Sequence, residues 1–315
     1  MKANEYFRGI KNKDISTLAQ AITVIESNRD SDKEIANNLI DLCLKEKTKS
    51  KIICVSGPPG VGKSTFIDTL GNHLIESNKI AVLAVDPTSK KSKGSIMADK
   101  TRMQKISSKP NVFIRPSPSG DALGGINKRT RESIILCKTF GFDFIFIETV
   151  GVGQSEITGH FICDCFILLC LPKSGDHIQA IKKGILEIAD LILINKIDTI
   201  NNIEKSKEKN NFSDKFKNEK IIETFSSLKP QNISSIWGKI KFCLENKKMR
   251  NKQIFWLKEA INEELLINIY KKKEFKRELE KIVNKTNFNE INVRKEAKKI
   301  VKKIFKINSV LISLH

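Results

Sequence analysis

The chain has 315 residues, 40% apolar and 29% charged, with a formal net charge of +20 that is mostly lysine. That is long enough for one substantial α/β domain with helical additions, or for two domains, and apolar enough to bury a real core. Aromatics are only 7% and the lysines are spread along the chain, so the charge excess is read as solvated surface and no nucleic-acid partner is expected.

No apolar run reaches the ~18 residues of a membrane span, and MKANEYFRGIKNKD lacks the apolar core of a signal peptide. A cytoplasmic protein with no membrane partner is expected. Cys43, Cys54, Cys137, Cys163, Cys165, Cys170 and Cys243 sit mostly inside apolar runs. They read as buried reduced thiols, not as a disulfide framework or a zinc site.

In chain order, residues 1–48 read as an N-terminal helical arm. Within it, Ser16–Ile25 has apolar residues at helical spacing behind a serine cap, and Asp32–Lys45 repeats the pattern. The region 49–230 opens with KIICVSG, a continuous apolar run that suits a buried parallel strand. TFIDTLGNHLIE is helical, IAVLAVD and NVFIRPS are strands, and Arg129–Phe140 is a helix. FDFIFIET, CFILLCLP and LILINKID are three more strands. The alternation predicts a doubly wound, mostly parallel α/β sheet with N-terminal and C-terminal helical extensions. Residues 201–220, rich in Asn, Lys, Glu and Ser, read as a polar loop. KIIETFSSL supplies a last strand, and helical periodicity dominates 231–315.

Gly57-Pro58-Pro59-Gly60-Val61-Gly62-Lys63-Ser64 fits G-x-x-x-x-G-K-[ST] at each fixed position, between a strand and a helix, with Thr65 following. Glycines let backbone N–H groups curl around phosphate oxygens, and the next helix points its positive end there. Lys63 reaches toward the β- and γ-phosphates, and Ser64 offers a hydroxyl to Mg²⁺. Asn195-Lys196-Ile197-Asp198 follows the apolar run LILI. Asp198 at a strand end can accept from N1–H and N2–H₂ of guanine, a donor pair adenine lacks. Asn195 can meet the other purine edge, and the Lys196 stem can lie over the ring. The pattern favours GTP over ATP. Ser226-Ser227-Leu228, after another strand, either touches guanine from behind or is a plain turn.

Three acids are candidates for the metal shell beside Ser64. Asp86 ends IAVLAVD, where the alternative is a turn aspartate before Pro87. Glu148 ends FDFIFIE, with Gly151 three residues on, where common GTPases have Asp. Asp99 lies in GSIMADKTRM. Gln154 is a candidate water-positioner. The histidines are scattered and form no site.

AVLAVDPTS, KGSIMADKTRM, FIRPSPSGDALGG, TRESIILC, ETVGVGQSE and LPKSGDHIQAIKKGILEIADL follow the phosphate loop in order. Together with NKID they resemble the MeaB/ArgK family of GTPases, densely from about Ser16 to Asp198 and again from Ser226. The resemblance implies a GTPase that takes GTP/GDP and Mg²⁺ and partners an adenosylcobalamin-dependent acyl-CoA mutase, such as methylmalonyl-CoA mutase. It implies that hydrolysis gates cofactor loading and protects the mutase, and that 231–315 forms a homodimer. The other reading the family carries is a kinase of a lysine/arginine/ornithine transport system. The resemblance makes 49–230 the GTPase domain, with Gly57–Thr65 as phosphate loop. It also makes LPKSGDHIQAIKKG the loop that communicates with the mutase, through Asp176, Gln179 and Lys182. Lys182 either moves toward the γ-phosphate when the client docks or is a solvated helix lysine. The family more often has small residues at Lys173 and Ser174 and an acid at His177.

Overall fold

The computed structural model describes residues 1–27, 29–86, 103–118, 128–149, 151, 155–172, 183–215, 220–246, 250–285 and 292–305. The chain divides into two compact units, Met1–Lys248 and Met249–His315.

The first unit is built on seven strands: β1 (Lys51–Ser56), β2 (Ile80–Asp86), β3 (Val112–Pro118), β4 (Phe144–Glu148), β5 (Cys165–Cys170), β6 (Leu191–Ile194) and β7 (Ile221–Thr224). Their order across the sheet is β3-β2-β4-β1-β5-β6-β7, and every pairing is parallel. The apolar runs are continuous because a parallel sheet is covered on both faces. CFILLC of β5 and LILI of β6 are buried at every position. The chain passes from β1 outward to β2 and β3, returns to β4, then crosses β1 to β5. That reversal opens a crevice beyond the carboxyl ends of β4, β1 and β5, the usual ligand position in such sheets.

The helices of this unit are α1 (Ala3–Lys11), α2 (Ile15–Glu26), α3 (Asp30–Leu44), α4 (Lys63–Leu74), α5 (Gln104–Ser107), α6 (Lys128–Phe140), α7 (Ser155–Ile162), α8 (Lys183–Ile188), α9 (Asn202–Lys215) and α10 (Ile233–Asn246). On one side of the sheet, Phe66 of α4 meets Phe225 edge-on at 5.5 Å, and Trp237 of α10 meets Phe144 edge-on at 5.1 Å. Such aromatic pairs add ~0.5–1.5 kcal/mol each beyond their buried area.

Three expectations about organisation change. Among the described residues, 1–48 hold three helices, not two, and they pack within the first unit. α1 buries Tyr6 and Ile10, and α2 and α3 pack against α6. The Arg115 guanidinium on β3 donates to Glu26 at 2.6 Å, and Arg129 donates to the Glu26 carbonyl at 2.6 Å. Lys13, in a left-handed turn at φ 63°, donates to the carbonyl of Phe140 at the end of α6. α2 starts behind Asp14, whose carboxylate accepts from the Ser16 amide at 2.9 Å, so aspartate is the cap and not Ser16.

Second, 202–215 of the expected polar loop is helix α9. Asn201 and Glu204 exchange side-chain to backbone hydrogen bonds of 2.9 and 3.2 Å, a capping box at its start. Phe212 anchors it in the core. Third, α10 belongs to the first unit, because Ile236, Trp237, Ile240, Cys243 and Leu244 join the sheet's hydrophobic core. The separate C-terminal unit starts at Met249, not at residue 231.

The second unit contains α11 (Arg250–Lys271), α12 (Lys273–Lys285) and α13 (Val293–Phe305). Glu278 of α12 takes hydrogen bonds from Lys281 at 2.9 Å and Lys303 of α13 at 2.8 Å. These contacts hold its carboxyl down at about 2. All seven cysteines are buried, and none is in a disulfide. No helix among the described residues is long and apolar enough to cross a membrane.

Candidate active site

The loop between β1 and α4 lies at the mouth of the crevice. Its glycines are required by geometry. Gly57, Gly60 and Gly62 have φ of 144°, 76° and 97°, a region closed to most side chains. A Cβ on Gly57 would run into the carbonyl oxygen of Leu169 on β5. The backbone thereby curls toward the start of α4, whose first turn presents unsatisfied N–H groups and a positive dipole end. Thr65 lies in that first turn, half-buried.

Lys63 is buried, with its ammonium 2.9 Å from the Gly57 carbonyl and 3.1 Å from the Pro58 carbonyl. It therefore lies inside the curl, where a cation meets phosphate oxygens. The Ser64 hydroxyl donates to Glu148 Oε1 at 2.7 Å, so the serine on α4 and the acid ending β4 are direct neighbours. A hydroxyl and a carboxylate oxygen side by side beside a phosphate loop are a hard-oxygen donor set that suits Mg²⁺. The longer reach of glutamate brings its oxygen to Ser64. Thr149 donates to Ser56 Oγ at 3.0 Å, fixing the β4 end to the β1 end. Gly151 follows at φ 86°, where a Cβ would strike the Gly57 carbonyl and stand 3.1 Å from Lys63 Nζ.

Asp86 ends β2 in register with Pro118 of β3, at the same carboxyl edge of the sheet. Asp99, Gln154, Lys173, Ser174, Asp176, His177, Gln179 and Lys182 lie outside the described residues.

At the far end of the crevice, Asp198 stands on a 3₁₀ turn, Ile197–Thr199, entered through Lys196 at φ 61°. Both Lys196 and Asp198 are exposed. Asp198 Oδ1 accepts from the Ser226 hydroxyl at 2.5 Å, and that bond is the main cause holding its carboxyl below the usual range. Asp198 is thus a charged acceptor. Lys229 N donates to Ser226 Oγ at 3.1 Å, closing the Ser226–Lys229 loop. Leu228 is 73% exposed at its tip.

Asn195, expected at the purine's other edge, makes three hydrogen bonds within the protein. It is buried, and its Nδ2 donates to the Val61 carbonyl at 2.8 Å. Its Oδ1 accepts from Ser227 N at 3.1 Å and Ser227 Oγ at 3.0 Å. The amide ties the phosphate loop to the base loop. Ser226 and Ser227 are accordingly structured partners, not a plain turn. Sequence reading missed Thr69, whose hydroxyl donates to the Ser227 carbonyl at 2.9 Å. Its only sequence signal is a polar residue among the core-facing Phe66, Ile67 and Leu70 of α4.

The arrangement brings a glycine-curled loop around Lys63, the Ser64–Glu148 oxygen pair and the exposed Asp198 carboxylate to the carboxyl edge of the sheet. The family model described as methylmalonyl Co-A mutase-associated GTPase MeaB matches residues 18–274. The chain belongs to the MeaB family. It is 37% identical to the GTPase ArgK of Escherichia coli over 290 residues, 87% of this chain and 88% of that one. It is 47% identical to the probable GTPase Rv1496 of Mycobacterium tuberculosis over 190 residues, 60% of this chain and 56% of that protein. A mouse protein, methylmalonic aciduria type A homolog, mitochondrial, is 43% identical over 203 residues, 61% of this chain and 49% of its own. The matches thus span about half the length of two of these three curated relatives. Among solved structures, a protein described as LAO/AO transport system kinase superposes with a TM-score of 0.69 at 29% identity. It covers 96% of this chain and 97% of its own. The residues matched to the MeaB model include Gly57–Ser64, Glu148, Asn195–Asp198 and Ser226–Leu228 in their range.

Proposed function

We propose that this MeaB-family protein binds GTP with Mg²⁺ and hydrolyses it to GDP and phosphate in the cytoplasm. We further propose that the cycle gates adenosylcobalamin loading and protection of an acyl-CoA mutase such as methylmalonyl-CoA mutase. The observation that carries the reading is the joint placement of Lys63, Ser64 and Glu148 at one end of the crevice and Asp198 at the other. Lys63 would balance charge on the β- and γ-phosphates, while Ser64 and Glu148 would hold the metal, with Asp86 and Asp99 assigned to the same shell. When bound, Mg²⁺ neutralises the phosphate oxygens. A water attacks the γ-phosphorus in line. The bond from that phosphorus to the β–γ bridging oxygen breaks, and the electron pair leaves with GDP. Positioning and electrostatics carry the rate. Gln154 orients the water, and Lys182 adds positive charge when the client docks.

The mutase as client is supported by the description of the family model and by the mouse relative's name. Homodimerisation is supported by α11, where Ile254, Leu257, Ile261 and Leu265 recur at helical spacing and are 47–63% exposed.

Calorimetry with Mg²⁺ tests the nucleotide. The wild type binds GDP far more tightly than ADP. Asp198→Asn turns preference toward the xanthine nucleotide, whose C2 carbonyl accepts from the new amide where guanine offers an amine. Equal uptake of GDP and ADP would falsify the assignment. GTP turnover rises on addition of a cobalamin-dependent mutase, and an unchanged rate removes the chaperone role. The kinase reading is favoured by the description of the solved relative. Labelled γ-phosphate appearing on protein, not as free phosphate, would establish it instead.

A further inference from the structure

The base end of the crevice has a support that neither the phosphate loop nor the NKID segment supplies. Asp198 is exposed on a short turn, so its aim depends on what holds its carboxylate. Its side-chain partner is the Ser226 hydroxyl at 2.5 Å. Ser226 in turn is placed by its neighbour Ser227, whose backbone and side chain are bonded on three sides. Ser227 N and Oγ both donate to Asn195, and the Ser227 carbonyl accepts from Thr69 Oγ1 at 2.9 Å. Thr69 is 4% exposed and sits on α4, the helix that carries Lys63 and Ser64. Its oxygen also accepts from Lys105 Nζ at 3.3 Å. One residue earlier, Asp68 accepts from the Ile106 amide at 3.1 Å. Two adjacent side chains of α4 therefore grip α5, and one of them also grips the base loop.

We infer that Thr69 is a positioning residue for guanine recognition, holding the Ser226–Lys229 loop where Ser226 meets Asp198. A threonine facing a core normally satisfies its hydroxyl on its own helix, four residues back. This one reaches a carbonyl 158 residues away in sequence. Asn195 also supports the loop, but it holds Val61 too, so its removal disturbs the phosphates as well. Thr69 touches the base loop and α5 but no phosphate-loop residue in this bonding pattern. Its loss therefore separates base reading from phosphate binding. This inference rests on the nucleotide assignment above and adds a determinant of its base selectivity.

The test compares wild type with Thr69→Val, Thr69→Ala and Thr69→Ser by calorimetry with GDP, IDP and ADP, and by GTP turnover. IDP lacks the N2 amine that Asp198 reads, so the GDP-to-IDP affinity ratio reports the aim of the carboxylate. In Thr69→Val, GDP affinity falls about tenfold, the scale of one lost buried hydrogen bond. The GDP-to-IDP ratio shrinks, ADP affinity does not move, and kcat at saturating GTP stays within about twofold while KM rises. Thr69→Ser restores the ratio. Should the valine variant fail to fold by circular dichroism, the alanine variant, which keeps the helix, decides. A GDP-to-IDP ratio equal to the wild type's in the folded variant overturns the inference, as does an equal loss of GDP and ADP affinity. A wild type that does not distinguish GDP from ADP fails earlier, and removes the nucleotide assignment itself.

Discussion

Replacing Asn195 with alanine tests the role of this amide as a clamp. The substitution deletes three hydrogen bonds, from Asn195 Nδ2 to Val61 O at 2.8 Å and from Ser227 N and Oγ to Asn195 Oδ1 at 3.1 and 3.0 Å. Each is buried, and a typical net worth of ~1 kcal/mol gives a loss of about 3 kcal/mol. For a unit of this size ~1 kcal/mol moves the melting temperature by roughly 2–4 °C, so the expected fall is roughly 6–12 °C. Differential scanning calorimetry without nucleotide reads it directly. Nucleotide binding suffers at both ends, because the Val61 carbonyl loses its donor while Ser227 loses its acceptor. A residue serving solely as a purine-edge contact predicts the opposite pattern, with the melting temperature held and only guanine affinity reduced. A fall of less than about 2 °C would refute the clamp.

Gly151→Ala places a methyl against the Gly57 carbonyl and 3.1 Å from Lys63 Nζ, at a φ of 86°. The backbone alone resists by ~1–2 kcal/mol, and GTP turnover falls more than tenfold, as phosphate-release kinetics will read. Ser226→Ala removes the hydrogen bond that chiefly holds the Asp198 carboxyl low. A depressed carboxyl pKa favours the charged form above its lowered value and loses it only as pH falls through that value. GDP affinity in the variant therefore begins to drop at higher pH than in the wild type, and coincident pH profiles would count against the pairing. Burial pushes the Cys137 and Cys170 thiols up to about 12 and raises Cys43 as well. Iodoacetamide at pH 8 should label almost no cysteine in the folded protein and all seven in guanidinium, by mass spectrometry.

The sheet was legible because each strand is a short apolar run with a turn signal behind it, and all seven expected strands are present. The turn Gly57–Ser64 between β1 and α4 was legible for the same local reason: its glycines, lysine and serine are fixed by spacing. α9 was not, since its sequence buries little beyond Phe212, yet Asn201-x-x-Glu204 carried a readable capping box. α10 was misassigned because periodicity gives a helix's apolar face and not the surface that face meets. The clamp role of Asn195 and the reach of Thr69 depend on Val61, Ser227 and α4 converging from distant parts of the chain, which no window of sequence displays.

The docking of the first 48 residues has a practical consequence for anyone shortening this protein. A fragment begun at Lys51 would uncover the surface that Leu18, Ala21, Ile22 and Ile25 now shield. It would also strand the Arg115 guanidinium, at 19% exposure, without the Glu26 carboxylate that balances it. Such a fragment keeps Gly57–Ser64 yet is expected to precipitate, so a minimal catalytic piece of this protein is expected to need the leading helices.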